Sequence, residues 1–216
     1  ARDTQVIATC ASPTPLPWLR EAGLGRDRLL ATEVDRGRVV SRIERVFAQK
    51  RLATREEVPT GELAREAFAT LFLRGSLFKG ILPKTRERLQ TRALHAQLDE
   101  QAVAPPPLEV WVRQRLEALG VESGEDLALL SPEDLLADDL GDVERAALDR
   151  VYPRELAIAG ARFDVGYDLA ARTVTLVRRS GRKGEPPPTR FLPAFRGLRV
   201  MLDDRGTVRE LRKRTR

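Results

Sequence analysis

The sequence predicts an α+β fold with an N-terminal β-hairpin, a central bundle of short helices and a C-terminal antiparallel β-meander. Hydrophobic residues alternate with a period of two near both ends of the chain, which is typical of half-buried strands. In between, they recur at helical spacing, which indicates amphipathic helices. We therefore predict a hairpin segment at residues 1–58, a helical region at 59–151 and a basic β region at 152–216.

The first segment contains a hairpin signal. Residues 29–34 and 39–52 both alternate, and residues 35–37 between them form a turn sequence that ends in glycine. Val39 and Ile43 fall on one face of the second strand, so that face is expected to be buried.

Two features precede this hairpin. Residues 6–8 are a short apolar strand candidate, and residues 12–18 carry a proline at every second position. Proline lacks a backbone N–H and is unfavourable inside a helix, so residues 12–18 are predicted to form a turn and not a helix.

Three helices are predicted at the start of the helical region. The first begins after Thr60, a favourable N-cap, and ends at Gly75. The second covers residues 84–100 and the third residues 108–119. The proline-rich break at 104–107 separates them and is the best internal linker in the chain.

Short, acidic helices follow. Two of them begin at Ser123 and Ser131, where a serine cap is followed by carboxylates that suit the positive end of a helix dipole. A last helix at residues 143–151 ends before Pro153. Beyond it the period changes to two, and we predict five strands joined as an antiparallel meander, at residues 156–158, 163–167, 173–177, 198–202 and 208–211.

The charge changes sign close to the point where the period changes. Residues 121–150 carry ten acidic and two basic side chains, a net charge of −8, whereas residues 178–216 carry thirteen basic and four acidic ones, a net charge of +9. The overall charge of +6 therefore comes from the tail. We attribute the acidic part to helix capping, and the basic part favours a polyanionic partner such as a phosphate backbone.

Composition limits the other function classes. A single cysteine, Cys10, excludes an internal disulfide framework and fits a reducing, cytoplasmic compartment. No apolar run reaches the roughly 20 residues that span a bilayer, so no membrane association is expected. The chain starts Ala1-Arg2-Asp3 without an initiator methionine, and we expect it to be part of a longer protein.

Two stretches carry a resemblance to a known family. One is VYPRELAIAGARFDVGYD at residues 151–168, a proline-containing turn followed by a glycine-centred hairpin, and the other is EVDRGRVVSRIER at residues 33–45. The first resembles the C-terminal region of bacterial DEAH-box RNA helicases of the Hrp type, and the second is similar to a hairpin that precedes the C-terminal extension of these helicases. The resemblance implies a parent protein that binds ATP and Mg²⁺ in two RecA-like domains preceding this region.

The catalytic parts of such a helicase do not occur in this sequence. It has neither a G-x-x-x-x-G-K-[ST] phosphate-binding loop nor an Asp-Glu-Ala-His run, and residues 181–184 are a poor approximation to the former. We therefore expect no ATP hydrolysis by this chain itself, and no catalytic residue of the family is carried over.

Nine cations of the tail are the predicted contacts to a nucleic-acid backbone. Guanidinium groups suit bidentate phosphate contact, whereas base-reading aromatic motifs are missing. The nine are Arg178, Arg179, Arg182, Lys183, Arg190, Arg199, Arg212, Lys213 and Arg214. The alternative is that they only keep the protein in solution. Phe191, Phe195 and Tyr167 would stack on bases if exposed, and otherwise belong to the core.

No metal or cofactor site is predicted within the chain. His95 and Cys10 supply too few ligands, and the carboxylates at 133, 134, 138 and 139 are interpreted as a solvated acidic face. Two functions follow as hypotheses. In the first, the chain is an accessory region that binds or guides RNA for the helicase core of the same parent protein. In the second, it is a docking module that binds a basic protein through the acidic helical face.

Overall fold

The computed structural model describes residues 14–99 and 101–211. It divides into two compact units, formed by the described parts of Ala1–Leu82 with Glu109–Leu135 and of Pro83–Leu108 with Leu136–Arg216. The α+β fold class is confirmed, whereas the three-segment domain division stays a prediction. The strand candidate at 6–8, Cys10 and the cations Arg212, Lys213 and Arg214 lie outside the described residues.

The described part of the first unit begins with a helix that the sequence did not predict. Helix α1 covers Leu16–Glu21 and overlaps, at residues 16–18, the proline-rich stretch that was interpreted as a turn. That interpretation was wrong because Pro17 occupies the first helical turn. There a missing backbone N–H costs nothing and the fixed φ of proline suits the helix.

A three-stranded antiparallel sheet follows, formed by β1 (Arg26–Asp35), β2 (Arg38–Phe47) and β3 (Lys50–Glu57) in that order. The sequence predicted a hairpin whose second strand reached residue 52, and the structure breaks that strand at Ala48 and Gln49. Both residues have positive φ angles, 46° and 66°, and so form a tight turn between β2 and β3.

Helix α2 (Gly61–Leu73) packs against this sheet. It buries Phe68 and Phe72, and Gly75 follows its end, as predicted. Helix α3 (Ile81–His95) leads out of the first unit, and α4 (Leu108–Ala118) returns to it. The core of this unit joins side chains from these helices and the sheet: Val39, Ile43, Phe68, Leu71, Phe72, Val112 and Leu116.

The short acidic helices at Gly124–Leu129 and Pro132–Leu135 are 3-10 helices. The predicted capping is confirmed at the first, where the Oγ of Ser123 accepts from Glu125 N and Asp126 accepts from Ser123 N. At the second, the Asp134 carboxylate accepts from both the backbone N–H and the hydroxyl of Ser131. These bonds lower the pKa of Asp134, which keeps the carboxylate charged.

The second unit contains α5 (Asp142–Val151) and five strands: β4 (Glu155–Ile158), β5 (Ala161–Asp168), β6 (Thr173–Ser180), β7 (Arg199–Asp203) and β8 (Val208–Glu210). They pair in sequence order, but β6 and β7 are parallel, so the sheet is mixed. The sequence predicted an antiparallel meander throughout. The difference arises because residues 181–198 return the chain to the other end of the sheet before β7 starts.

One face of this sheet forms the core of the second unit. Phe163, Val165 and Tyr167 of β5 are buried at alternate positions, as a half-buried strand requires. The ring of Tyr152, which follows α5, meets that of Tyr167 edge-on at 5.4 Å between centroids. The hydroxyl of Tyr167 donates to the carbonyl of Pro153 at 2.7 Å, and burial raises the pKa of Tyr167.

Candidate nucleic-acid interface

Arg178 was predicted to contact nucleic acid, but the structure buries it. Its side chain is 2% exposed, and its Nε donates to Asp204 Oδ1 at 2.9 Å. Its guanidinium lies 5.0 Å from the ring centroid of Phe163 and also donates to the carbonyl of Glu185. A cation in these contacts is not available to a phosphate, so this prediction is corrected. The sequence contains the signal, because Arg178 follows Val174 and Leu176 on the core face of β6.

Asp204 connects the loop after β6 to the turn after β7. Besides the Arg178 guanidinium, it accepts the backbone N–H of Gly184 at 2.7 Å. The bond from Gly184 and the nearby Arg178 charge lower the pKa of Asp204, whereas desolvation opposes them. The buried ion pair therefore holds residues 181–185 beside residues 203–207.

Four exposed cations lie on these neighbouring segments. Arg182 and Lys183 belong to the loop, Arg205 to the turn and Arg209 to β8, and we call the four the basic cluster. Arg209 donates to the carbonyl of Gly184 at 2.9 Å, which places it against the loop. Within the described residues, none of the four forms an ion pair with a carboxylate.

The basic cluster has a net positive charge. Its segments also carry Glu185, Asp203 and Glu210, and Asp203 accepts the N–H of Gly206 at 2.7 Å. Four cations thus stand against three carboxylates, since Asp204 is already paired with Arg178. Arg205 and Arg209 were not predicted, because each is a single cation beside an acidic residue, Asp204 or Glu210, and only the fold brings them to the loop.

Two other predicted contacts, Arg179 and Arg199, do not join this cluster. Arg179 forms an ion pair with Asp164 on the outer face of the sheet. Arg199 lies at the first residue of β7, the end of that strand opposite Asp203, in register with Thr173. The outer face of the sheet has mixed charge, because Glu155, Asp164 and Asp168 alternate with Arg162 and Arg179. The predicted cations that lie within the described residues therefore do not form one continuous surface.

The three aromatic candidates have different environments. Tyr167 and Phe195 are buried in the core of the second unit, so they have no free ring face for a base. Phe191 is 57% exposed, and the guanidinium of Arg190 lies 4.7 Å from its ring centroid. Arg190, which was predicted as a phosphate contact, is therefore stacked on an exposed ring.

Most carboxylates of the acidic segment have partners within the protein, three through the predicted helix capping and four through ion pairs that were not predicted. Seven of its ten carboxylates accept a capping bond or form an ion pair: Glu122, Glu125, Asp126, Asp134, Asp138, Asp139 and Glu144. Glu133, Asp142 and Asp149 have no such partner among the described residues. Three separate carboxylates are a weak basis for docking a basic protein.

Other site classes gain no support. His95 is buried in the last turn of α3. In the described part of the chain, no three histidine, cysteine, aspartate or glutamate side chains are grouped as metal ligands. None of the helices within residues 14–99 and 101–211 is both long and apolar enough to cross a membrane.

No family model matches the chain, and neither the curated proteins nor the solved structures contain a match to it. The resemblance to DEAH-box helicases stays a prediction that rests on residues 33–45 and 151–168. The basic cluster, by contrast, is defined by contacts within the fold.

Proposed function

We propose that this chain is an accessory C-terminal region of a DEAH-box RNA helicase, and that it binds the RNA backbone through the basic cluster. The observation that carries the proposal is the buried Arg178–Asp204 pair, which holds the loop of Arg182 and Lys183 beside the turn of Arg205. A set of exposed cations without carboxylate partners is suited to phosphates, because no internal ion pair has to break first.

The fixed backbone of the loop adds to this argument. Gly184 is bonded on both sides, its N–H to Asp204 and its carbonyl to Arg209. Binding to a pre-positioned loop loses less conformational entropy than binding to a mobile one, so more of the interaction energy becomes affinity. Contacts of this kind recognise phosphates and carry no base sequence information.

In this proposal the chain catalyses no reaction. ATP and Mg²⁺ bind to the helicase core of the parent protein, which acts in the cytoplasm, and the basic cluster guides RNA relative to that core. The chain alone is therefore expected to leave ATP unhydrolysed in a phosphate-release assay with and without RNA.

The binding step is tested with two charge-matched variants. Arg182→Glu combined with Lys183→Glu reverses two cations of the basic cluster. Lys84→Glu combined with Arg86→Glu reverses one lysine and one arginine that are exposed on α3 and form no ion pair among the described residues. Affinity for a fluorescein-labelled single-stranded RNA is measured by anisotropy at about 0.1 M salt.

The cluster variant is expected to lose roughly 10- to 30-fold in affinity. Each phosphate contact contributes about 0.7 log units of affinity per decade of salt, and about 0.1 M is one decade below 1 M, so losing two contacts costs about 1.4 log units. The α3 variant has the same net charge and is expected to stay within about threefold of the unaltered chain. Equal losses in both variants would show a general charge effect, and no loss in either would reject the basic cluster as the RNA site.

A further inference from the structure

Phe191 is an exception among the aromatic residues of the second unit. The other four, Tyr152, Phe163, Tyr167 and Phe195, are at most 9% exposed. Phe191 keeps 57% of its surface exposed, although its neighbour Leu192 is buried in the core. With more than half of its surface exposed, the Phe191 side chain stabilises the fold less than a fully buried ring would, and its exposed part can contact a ligand.

The backbone fixes where this ring stands. Phe191 ends the 3-10 helix Thr189–Phe191, and its N–H donates to the carbonyl of Pro188 at 3.1 Å. The next N–H, of Leu192, donates to Thr189 at 3.2 Å, and the Leu192 side chain packs into the core. The ring is therefore held at the surface by a short, well-bonded turn.

Arg190 turns this ring into a charged stacking surface. Its guanidinium carbon lies 4.7 Å from the ring centroid, within the range of a cation–π contact. A planar guanidinium on an aromatic ring presents two kinds of flat surface that nucleic-acid bases stack on. The positive charge in addition attracts the phosphates on either side of a stacked base.

The stacking surface is joined to the basic cluster by a stiff connection. Seven residue steps separate Gly184 from Phe191, which limits the distance between them to roughly 24 Å. Three consecutive prolines, residues 186–188, restrict the conformations of this stretch, and Pro187 is buried. A single strand with the length of a typical site, about 4–16 nucleotides, reaches from one to the other.

We infer that Phe191, together with Arg190, stacks on an unpaired base of the RNA whose phosphates the basic cluster contacts, so that the site selects single strands over duplexes. This inference rests on the proposed function. In a duplex each base is already stacked between its neighbours and is not free to cover the ring, whereas every base of a single strand has a free face.

The test uses Phe191→Leu, which keeps an apolar side chain and removes the ring, and Phe191→Tyr, which keeps the ring. Val208→Ala alters another exposed apolar residue and is the control. The probes are an oligouridine of about 12 nucleotides, an RNA duplex of that length, and an abasic oligomer with the same number of phosphates. Affinities are measured by anisotropy at one salt concentration.

Phe191→Leu is expected to weaken oligouridine binding about 5- to 150-fold, the range for loss of one stacked base. Its affinity for the duplex and for the abasic oligomer is expected to match that of the unaltered chain, and Phe191→Tyr and Val208→Ala are expected to bind all three probes normally. If the variant with Arg182→Glu and Lys183→Glu loses affinity for oligouridine and Phe191→Leu does not, only this inference is overturned. Failure of the unaltered chain to bind any probe would overturn the proposed function as well.

Discussion

At the scale of single residues, Asp204 connects three parts of the second unit. Its carboxylate accepts from Arg178 on β6 and from Gly184 in the loop, and its backbone N–H donates to the carbonyl of Thr207 in the turn. A buried carboxylate in such contacts is useful to the fold only while it is charged. The stability of the loop should therefore depend on pH through this residue.

We predict that Asp204→Asn lowers the melting temperature at pH 7 and that this difference shrinks in acid. The folded state depresses the pKa of Asp204, so the ionised group stabilises the fold above the unfolded value of about 4. That contribution is lost as pH falls below about 4 and through the folded pKa, because the carboxylic acid no longer pairs with Arg178.

Differential scanning calorimetry at pH 7 and at about pH 3 checks this prediction. Asp149→Asn, an exposed carboxylate on α5 without a partner among the described residues, is the control and is expected to change little at either pH. An equal loss of melting temperature at both pH values for Asp204→Asn would show that shape and not charge matters at this position.

The arginines of the second unit differ in burial and in contacts, and the neighbouring sequence predicts these differences only in part. Arg178 and Arg179 are adjacent, yet one is buried against Phe163 and the other is exposed, because side chains of a strand alternate between its faces. That outcome was predictable from the Val174–Leu176 pattern. The contact of Arg209 with Gly184 was not, since it depends on tertiary folding between residues far apart in the chain.

At the scale of elements, the 3-10 helix Gly124–Leu129 packs against the first sheet through its first residue. Gly124 N donates to the carbonyl of Pro59 at 2.9 Å, and a bridge joins Thr60 to Ser123. A Cβ added to Gly124 would lie 2.3 Å from the carbonyl oxygen of Val39, a backbone atom of β2. Glycine is therefore required by close approach and not by its φ angle.

Gly124→Ala is predicted to lower the free energy of unfolding of the first unit by about 1–3 kcal/mol, the usual cost of overpacking. Gly166→Ala is the matched control, since the nearest atom to an added Cβ there is Thr175 O at 4.0 Å. Gly166→Ala reduces the conformational freedom of the unfolded chain, so it is expected to be neutral or to raise the free energy of unfolding by up to about 1 kcal/mol. Urea denaturation measures both, and equal stabilities would contradict the close contact.

The elements also show which structural signals are local. The helices at α2, α4 and α5 were predicted because caps, glycines and prolines mark their ends in the sequence. The turn between β2 and β3 was missed because Ala48 and Gln49 adopt positive φ without glycine or asparagine. The parallel pairing of β7 was missed because it depends on the path of residues 181–198 across the sheet, which no local pattern encodes.

At the scale of the whole molecule, the acidic and the basic groups differ in their partners as well as in the sign of their charge. The acidic segment uses most of its carboxylates in caps and internal ion pairs, as with Asp126 and Asp139. The basic cluster leaves its cations exposed. The overall charge of +6 therefore does not show how differently the acidic segment and the basic cluster would interact with a polyanion.

The salt dependence of RNA binding follows from this separation. If all four cations of the basic cluster contact phosphates, the slope of log K against log salt for a single strand should be about −2.8, with further cations making it steeper.

Arg182→Glu with Lys183→Glu should make the slope shallower by about 1.4, because two released counterions are lost. Lys84→Glu with Arg86→Glu should shift affinity slightly and leave the slope unchanged, since charges away from the bound phosphates act only through screened interactions. Anisotropy titrations between about 0.05 and 0.3 M salt measure all three slopes. Parallel slopes for both variants would mean that the RNA is held by another part of the molecule and that the basic cluster acts only through net charge.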